Sequence, residues 1–158
     1  MTTGTREQIM AALFTLGCGA YAWKNTPAGD STTGIPSARR LKLWGDVPID
    51  QRPAFFQFEG GRGLYSWSSE PARKRTIRPQ WFVYINAKDP AAVGASLINP
   101  ILDALDAVLK PAGKDQGTGR QTLGDLCYHC RIEGDPFQDP GDLDGDGLLV
   151  IPINILMP

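Results

Sequence analysis

Hydrophobic and polar positions along this chain follow two periods. From Trp81 to Asn86, Trp81, Val83 and Ile85 alternate with Phe82, Tyr84 and Asn86, which puts apolar or aromatic groups on both faces of a strand. That is the pattern of a central strand covered on both sides. Further on, Leu97, Ile98, Ile101, Leu102, Leu105, Val108 and Leu109 recur at the three-and-four spacing of a helix with one broad apolar stripe. Asn99-Pro100 supplies an N-cap side chain and a proline for the first helical position, Asp89-Pro90 offers an earlier start, and Pro111 ends the helix. The same period predicts a first helix from Thr5 to Leu16, with Ile9, Met10, Leu13, Phe14 and Leu16 as its buried face. A Thr5-x-x-Gln8 capping box opens it, and Gly17 and Gly19 end it. These signals make the apolar run from Ile9 to Trp23 a helix of a folded domain, not a signal peptide. No run approaches the roughly 20 apolar residues of a membrane span.

Period two appears four more times. Arg40 to Trp44 alternates and predicts a strand. Ala54 to Glu59 sets Phe56 and Phe58 on one face and Phe55, Gln57 and Glu59 on the other. Leu126, Tyr128, Cys130 and Ile132 alternate with Cys127, His129, Arg131 and Glu133. In the last strand, Leu148 to Met157, one face carries Leu149, Ile151, Ile153, Ile155 and Met157, and Pro152 points to an edge position or a bulge. Two stretches rich in glycine and polar residues, 18–39 and 60–79, read as loops that are long for a compact domain. The resulting order α, β, β, β, α, β, β predicts a single α+β domain over residues 1–158. Its sheet is mixed but mainly antiparallel, with about five strands flanked by two principal helices.

A hydrophobic content of 42% and a formal charge of -1 exclude a disordered chain and a uniformly basic nucleic-acid binder. Three cysteines at no framework spacing point to a reducing compartment. Charge is unevenly placed, with nine basic and four acidic residues from Arg39 to Arg78, against one basic and seven acidic from Gln121 to Pro158. Solvated faces or pairing within one copy account for this in one reading. In the other, the basic arm of one copy meets the acidic turn of the next, the heterologous geometry that closes rings. The candidate interface is then Trp67, Arg73, Lys74, Arg75 and Arg78 against Asp142, Asp144 and Asp146. The same basic run could instead touch nucleic-acid phosphates without sequence preference.

Candidate chemistry is sparse. Asp142-Leu143-Asp144-Gly145-Asp146-Gly147 matches the first six positions of a calcium loop, which gives Asp142, Asp144 and Asp146 as candidate ligands. Ile153 stands where that loop needs a bidentate glutamate, so the string reads first as a hairpin turn. Cys127-Tyr128-His129-Cys130 holds zinc-ligand types, but on a strand the two cysteines point to opposite faces. Gly60-Gly61-Arg62-Gly63 lacks the lysine and the following helix of a phosphate loop. No nucleophile elbow or acid and base pair accompanies His129, the single histidine. The chain reads as a non-enzyme that works without a cofactor.

Four stretches in order, ARRLKLWGDVPIDQRPAFFQ (Ala38 to Gln57), INPILDALDAVLKP (Ile98 to Pro111), QTLGDLCYHCRIEGD (Gln121 to Asp135) and VIPINILMP (Val150 to Pro158), resemble the tail terminator, or tail completion, proteins of tailed bacteriophages. The resemblance covers most of the chain from Ala38 onward. It implies a mixed sheet flanked by helices and a homo-oligomeric ring, usually a hexamer, that caps the tail tube and ends its polymerisation. It implies as partners other copies of the chain, the tail tube protein and a head-completion or neck protein, with no membrane and no specific nucleic-acid sequence. The implied location is the head-proximal end of the virion tail, reached from the host cytoplasm during assembly. The alternatives are another neck or head-closure ring protein, or a small calcium-binding module built on Asp142 to Gly147.

Overall fold

The computed structural model describes residues 4–29, 37–60, 64–66, 74–88, 91 and 93–157. It contains helices α1 (Arg6–Ala20) and α2 (Ala95–Val108) and strands β1 (Ala54–Phe58), β2 (Leu64–Ser66), β3 (Lys74–Ile77), β4 (Gln80–Asn86), β5 (His129–Ile132), β6 (Phe137–Asp139) and β7 (Asp146–Met157). Every strand pairing is antiparallel, and the whole is one α+β domain, as the two periods predict.

β7 organises the sheet. Along it Gly147, Leu149, Ile151, Ile153, Ile155 and Met157 are buried, while the residues between them are only partly so. One edge pairs with β4 and β3 in a single register: Asn86 lies opposite Asp146, Gln80 opposite Pro152, Ile77 opposite Ile155 and Arg75 opposite Met157. The Ile153 N–H donates to the Pro79 carbonyl at 3.0 Å across the break between them. The other edge pairs with β6, Phe137 opposite Val150, and with β5, Ile132 opposite Ile153. β1 continues the sheet beyond β4, and β2 beyond β3.

Pro152 therefore sits inside the central strand, which corrects the edge assignment. A residue's N–H and C=O leave a strand on the same side. The Pro152 carbonyl accepts from Glu133 N–H at 3.2 Å, so its ring nitrogen faces the gap between β5 and β6, where no ladder donor is required. The strand count exceeds five because β3 and β4, and likewise β5 and β6, are separated at this level, and pieces of three or four residues are too short to show a period. The segment 60–79 carries β2 and β3 and is not wholly a loop; Trp67 and Arg73 lie outside the described residues.

Three other expectations change. Arg40 to Trp44 is not a strand. Leu43 is 76% exposed, so the alternation buries no face, and the backbone is held by side chains: Tyr84 Oη donates to Lys42 O at 2.7 Å and Arg52 to Trp44 O at 2.9 Å. α2 begins at Ala95 with Gly94 as its N-cap, so Pro100 lies inside the helix and Asn99 caps nothing. Gly94 is favoured there because a Cβ would meet the Pro140 carbonyl oxygen at 1.8 Å. The predicted strand from Leu126 to Glu133 shortens to β5, since Leu126 to Tyr128 belong to a turn.

α1 opens with the predicted capping box: Gln8 N–H donates to Thr5 Oγ1, and Thr5 N–H to Gln8 Oε1. It runs on through Gly17 and Gly19, so the glycines do not end it, and the reason for Gly17 is contact. Ile9, Met10, Leu13, Phe14 and Gly17 face β1 and β4, where Phe55 stacks between Phe14 and Trp23 and meets Trp81 edge-on at 5.6 Å. A Cβ on Gly17 would lie 2.2 Å from Phe55 Cζ, whereas one on Gly19 would meet nothing. Gly17→Ala should therefore destabilise by about 1 to 3 kcal/mol through overpacking. Gly19→Ala should stabilise by roughly 0.5 to 1 kcal/mol through helix propensity. Urea midpoints shifting in opposite directions would bear this out.

Candidate functional site

The helices cover one face of the sheet, leaving the other to be divided by the break at Pro152. On the β1, β4 and β6 side, the segment over residues 40–47 covers Phe56 and Tyr84, while Phe58 and Phe137 stay exposed. On the β3, β5 side the outer face is polar. Thr76 and His129 both lie opposite Leu156, and Arg131 lies opposite Asn154. These residues and Glu133 line a cavity of about 230 Å³.

Its hydrogen bonding is incomplete. Arg131 pairs with Glu133 at 3.1 Å, and Asn154 Nδ2 donates to the same carboxylate. Thr76 Oγ1 and His129 Nδ1 are buried and have no hydrogen-bond partner. The Arg131 guanidinium, then Asn154 and the charge of Arg78, hold the Glu133 carboxyl below its usual range. Burial, with Arg131 and Arg120 nearby, lowers the His129 pKa and favours neutral imidazole.

The acidic turn lies at the opposite end of β7. Gly141 and Gly145 take positive φ, and a Cβ on Gly145 would meet the Ala87 carbonyl oxygen at 2.7 Å, so the aspartate and glycine string makes a tight hairpin turn. Asp142, Leu143 and Asp144 project from it, with Leu143 at 102% exposure. Asp146 points back into its own chain, accepting from Arg52 Nη1 at 2.8 Å and from Asn86 Nδ2. Arg52 is buried, and its Nη2 donates to the carbonyls of Trp44 and Val47. The pair thereby anchors the segment over 44–47 to the start of β7. Asp142, Asp144 and Asp146 do not converge, and among the described residues no group of three carboxylate, thiol or imidazole side chains could hold a metal.

Cys127 and Cys130 are both buried, which corrects their predicted placement on opposite faces. Leu123, Gly124 and Asp125 all take positive φ and turn the chain before β5 begins. Asp115 accepts from Thr122 N–H and Oγ1–H, and Gln121 Oε1 from Leu123 N–H. Burial, then the charge of Asp115, pushes the Cys127 thiol up to about 12. Burial also raises the Cys130 thiol, so both cysteines stay protonated near neutral pH.

Of the predicted interface residues on this arm, Trp67 and Arg73 fall outside the described residues, Lys74 begins β3 opposite Ser66, Arg75 lies opposite Met157, and Arg78 is exposed between β3 and β4. Arg75 and the acidic turn thus stand at opposite ends of a 12-residue strand, a separation of about 35 Å. The cavity at Thr76 and His129 leaves no signal in the sequence, because its residues come from three strands and the short β3 carries no period. No family model and no curated protein matches this chain.

Two expectations follow from these contacts. Asp146→Ala leaves Arg52 buried without its carboxylate and should cost about 1 to 3 kcal/mol, whereas Asp144→Ala, at an exposed position, should cost well under 1 kcal/mol, read by chemical denaturation. Acid should also weaken the fold. Arg39 holds the Glu7 carboxyl, and Arg131 the Glu133 carboxyl, below the usual 4.5. The unfolded chain then binds more protons in that window, so this stability is present above 4.5 and is lost as pH falls through the folded values. Calorimetry should show a melting temperature that drops below that pH, and less steeply in Arg39→Gln, which frees Glu7.

Proposed function

We propose that this chain is a structural ring protein of a phage tail that caps the tube, ends its polymerisation and offers the neck a docking surface. The observation that carries this reading is the separation of charge along β7. Arg75 and Arg78 lie towards one end and Asp142 and Asp144 at the other, roughly 30 to 35 Å apart, so these four residues cannot pair within one copy but can across a head-to-tail contact. Further support comes from the four ordered stretches that resemble tail terminators and from the α+β fold that such a resemblance implies. On this reading the partners are other copies of the chain, the tube protein and a neck protein. The chain would act through steric closure of the tube and not through catalysis.

The turn towards Arg52 taken by Asp146 weighs against the calcium-module reading. Deleting the gene from its phage should yield overlong tails under electron microscopy, and supplying the protein in trans should restore their length. Tails of normal length without it would overturn the terminator role.

A further inference from the structure

The acidic turn and the outer-face cavity match each other chemically and cannot meet within one copy. The turn presents a fully exposed leucine between two exposed carboxylates, Asp142 and Asp144. The cavity presents Leu156 and the guanidinium of Arg131, with Glu133 between Arg131 and Arg78, while Thr76 Oγ1 and His129 Nδ1 lie without partners beneath its surface. Asp146 and Leu156 lie ten positions apart on β7, or about 30 Å, which excludes contact within the chain.

We propose that the Asp142-Leu143-Asp144 tip of one copy seats in the Thr76, His129, Arg131 and Leu156 cavity of the next. Leu143 covers Leu156, and the aspartates lie against the guanidinium groups of Arg78 and Arg131. Arg131 keeps its pairing with Glu133, and Arg78 leaves the rim with net positive charge, which selects an acidic occupant. The cavity accommodates one apolar side chain and its carboxylate neighbours, not a large ligand, and the tip bears that combination. This contact rests on the ring reading above and names the surfaces through which copies would join.

The test places a photoactivatable phenylalanine analogue at position 143, which is exposed and free of packing, and irradiates the protein alone and with purified tail tubes. The expected product is a cross-linked pair of chains, with the attachment mapping by mass spectrometry to the strands around Thr76, His129 or Leu156. Its yield should fall by roughly tenfold in Arg78→Glu with Arg131→Glu, and recover when Asp142→Lys and Asp144→Lys are added to the same chain. No cross-link between chains in either condition, attachment elsewhere, or a yield indifferent to charge reversal would overturn the proposal. Tail length separates the two readings: normal tails without the protein would remove the tail role and leave the cross-link standing, while a missing cross-link with overlong tails would do the reverse.

Discussion

The unbroken alternation of β7 is the constraint on which the rest depends. Twelve residues alternate without a slip through a proline, and both edges are paired along most of that length. A shift of one residue would turn Asn154 and Leu156 into the core and expose Ile153 and Ile155. It would also carry Asp146 away from Arg52 and release the segment over 44–47. Register on this strand therefore fixes the covered core, the outer cavity and the acidic turn together.

Polar groups inside the core strengthen that specification because their partners come from separate elements. Gln57 is fully buried, and its Nε2 donates to Met10 O of α1 at 3.0 Å while its Oε1 accepts from Trp81 Nε1 at 3.0 Å. One amide thus sets the height of α1 over β1 and β4, since moving any of the three leaves a buried group unpaired. Asn25 does the same for the free edge of β1, exchanging hydrogen bonds with Phe55 N–H and O as a neighbouring strand would. A short side chain here takes the place of a missing strand.

What the sequence made legible was long and periodic. The central strands and both helices follow from apolar spacing, and the capping box from four residues. Features that escaped depend on contact. Gly17 reads as a helix stop until Phe55 is seen beneath it, and Pro152 reads as an edge marker until the gap between β5 and β6 is seen beside it. Leu43 looks like part of an alternating strand, although nothing covers it. Turn chemistry misled in the same way at Cys127, where three residues of positive φ undo the alternation that the letters suggest. The cavity was hidden because it assembles His129 from β5, Thr76 from β3 and Leu156 from β7.

Buried hydrogen bonding is complete in some parts of the molecule and not in others. Among the described residues four buried side-chain atoms lack a partner: Trp44 Nε1, Arg52 Nε, Thr76 Oγ1 and His129 Nδ1. Arg52 already makes three other hydrogen bonds, so its shortfall is partial. Thr76 and His129 have no such compensation, and they flank the same residue of β7 on the face that the helices leave open. An unpaired buried group costs about 1 to 3 kcal/mol, a large share of the margin of a small domain. Gln57, more deeply buried than either, has both its amide atoms paired within the chain.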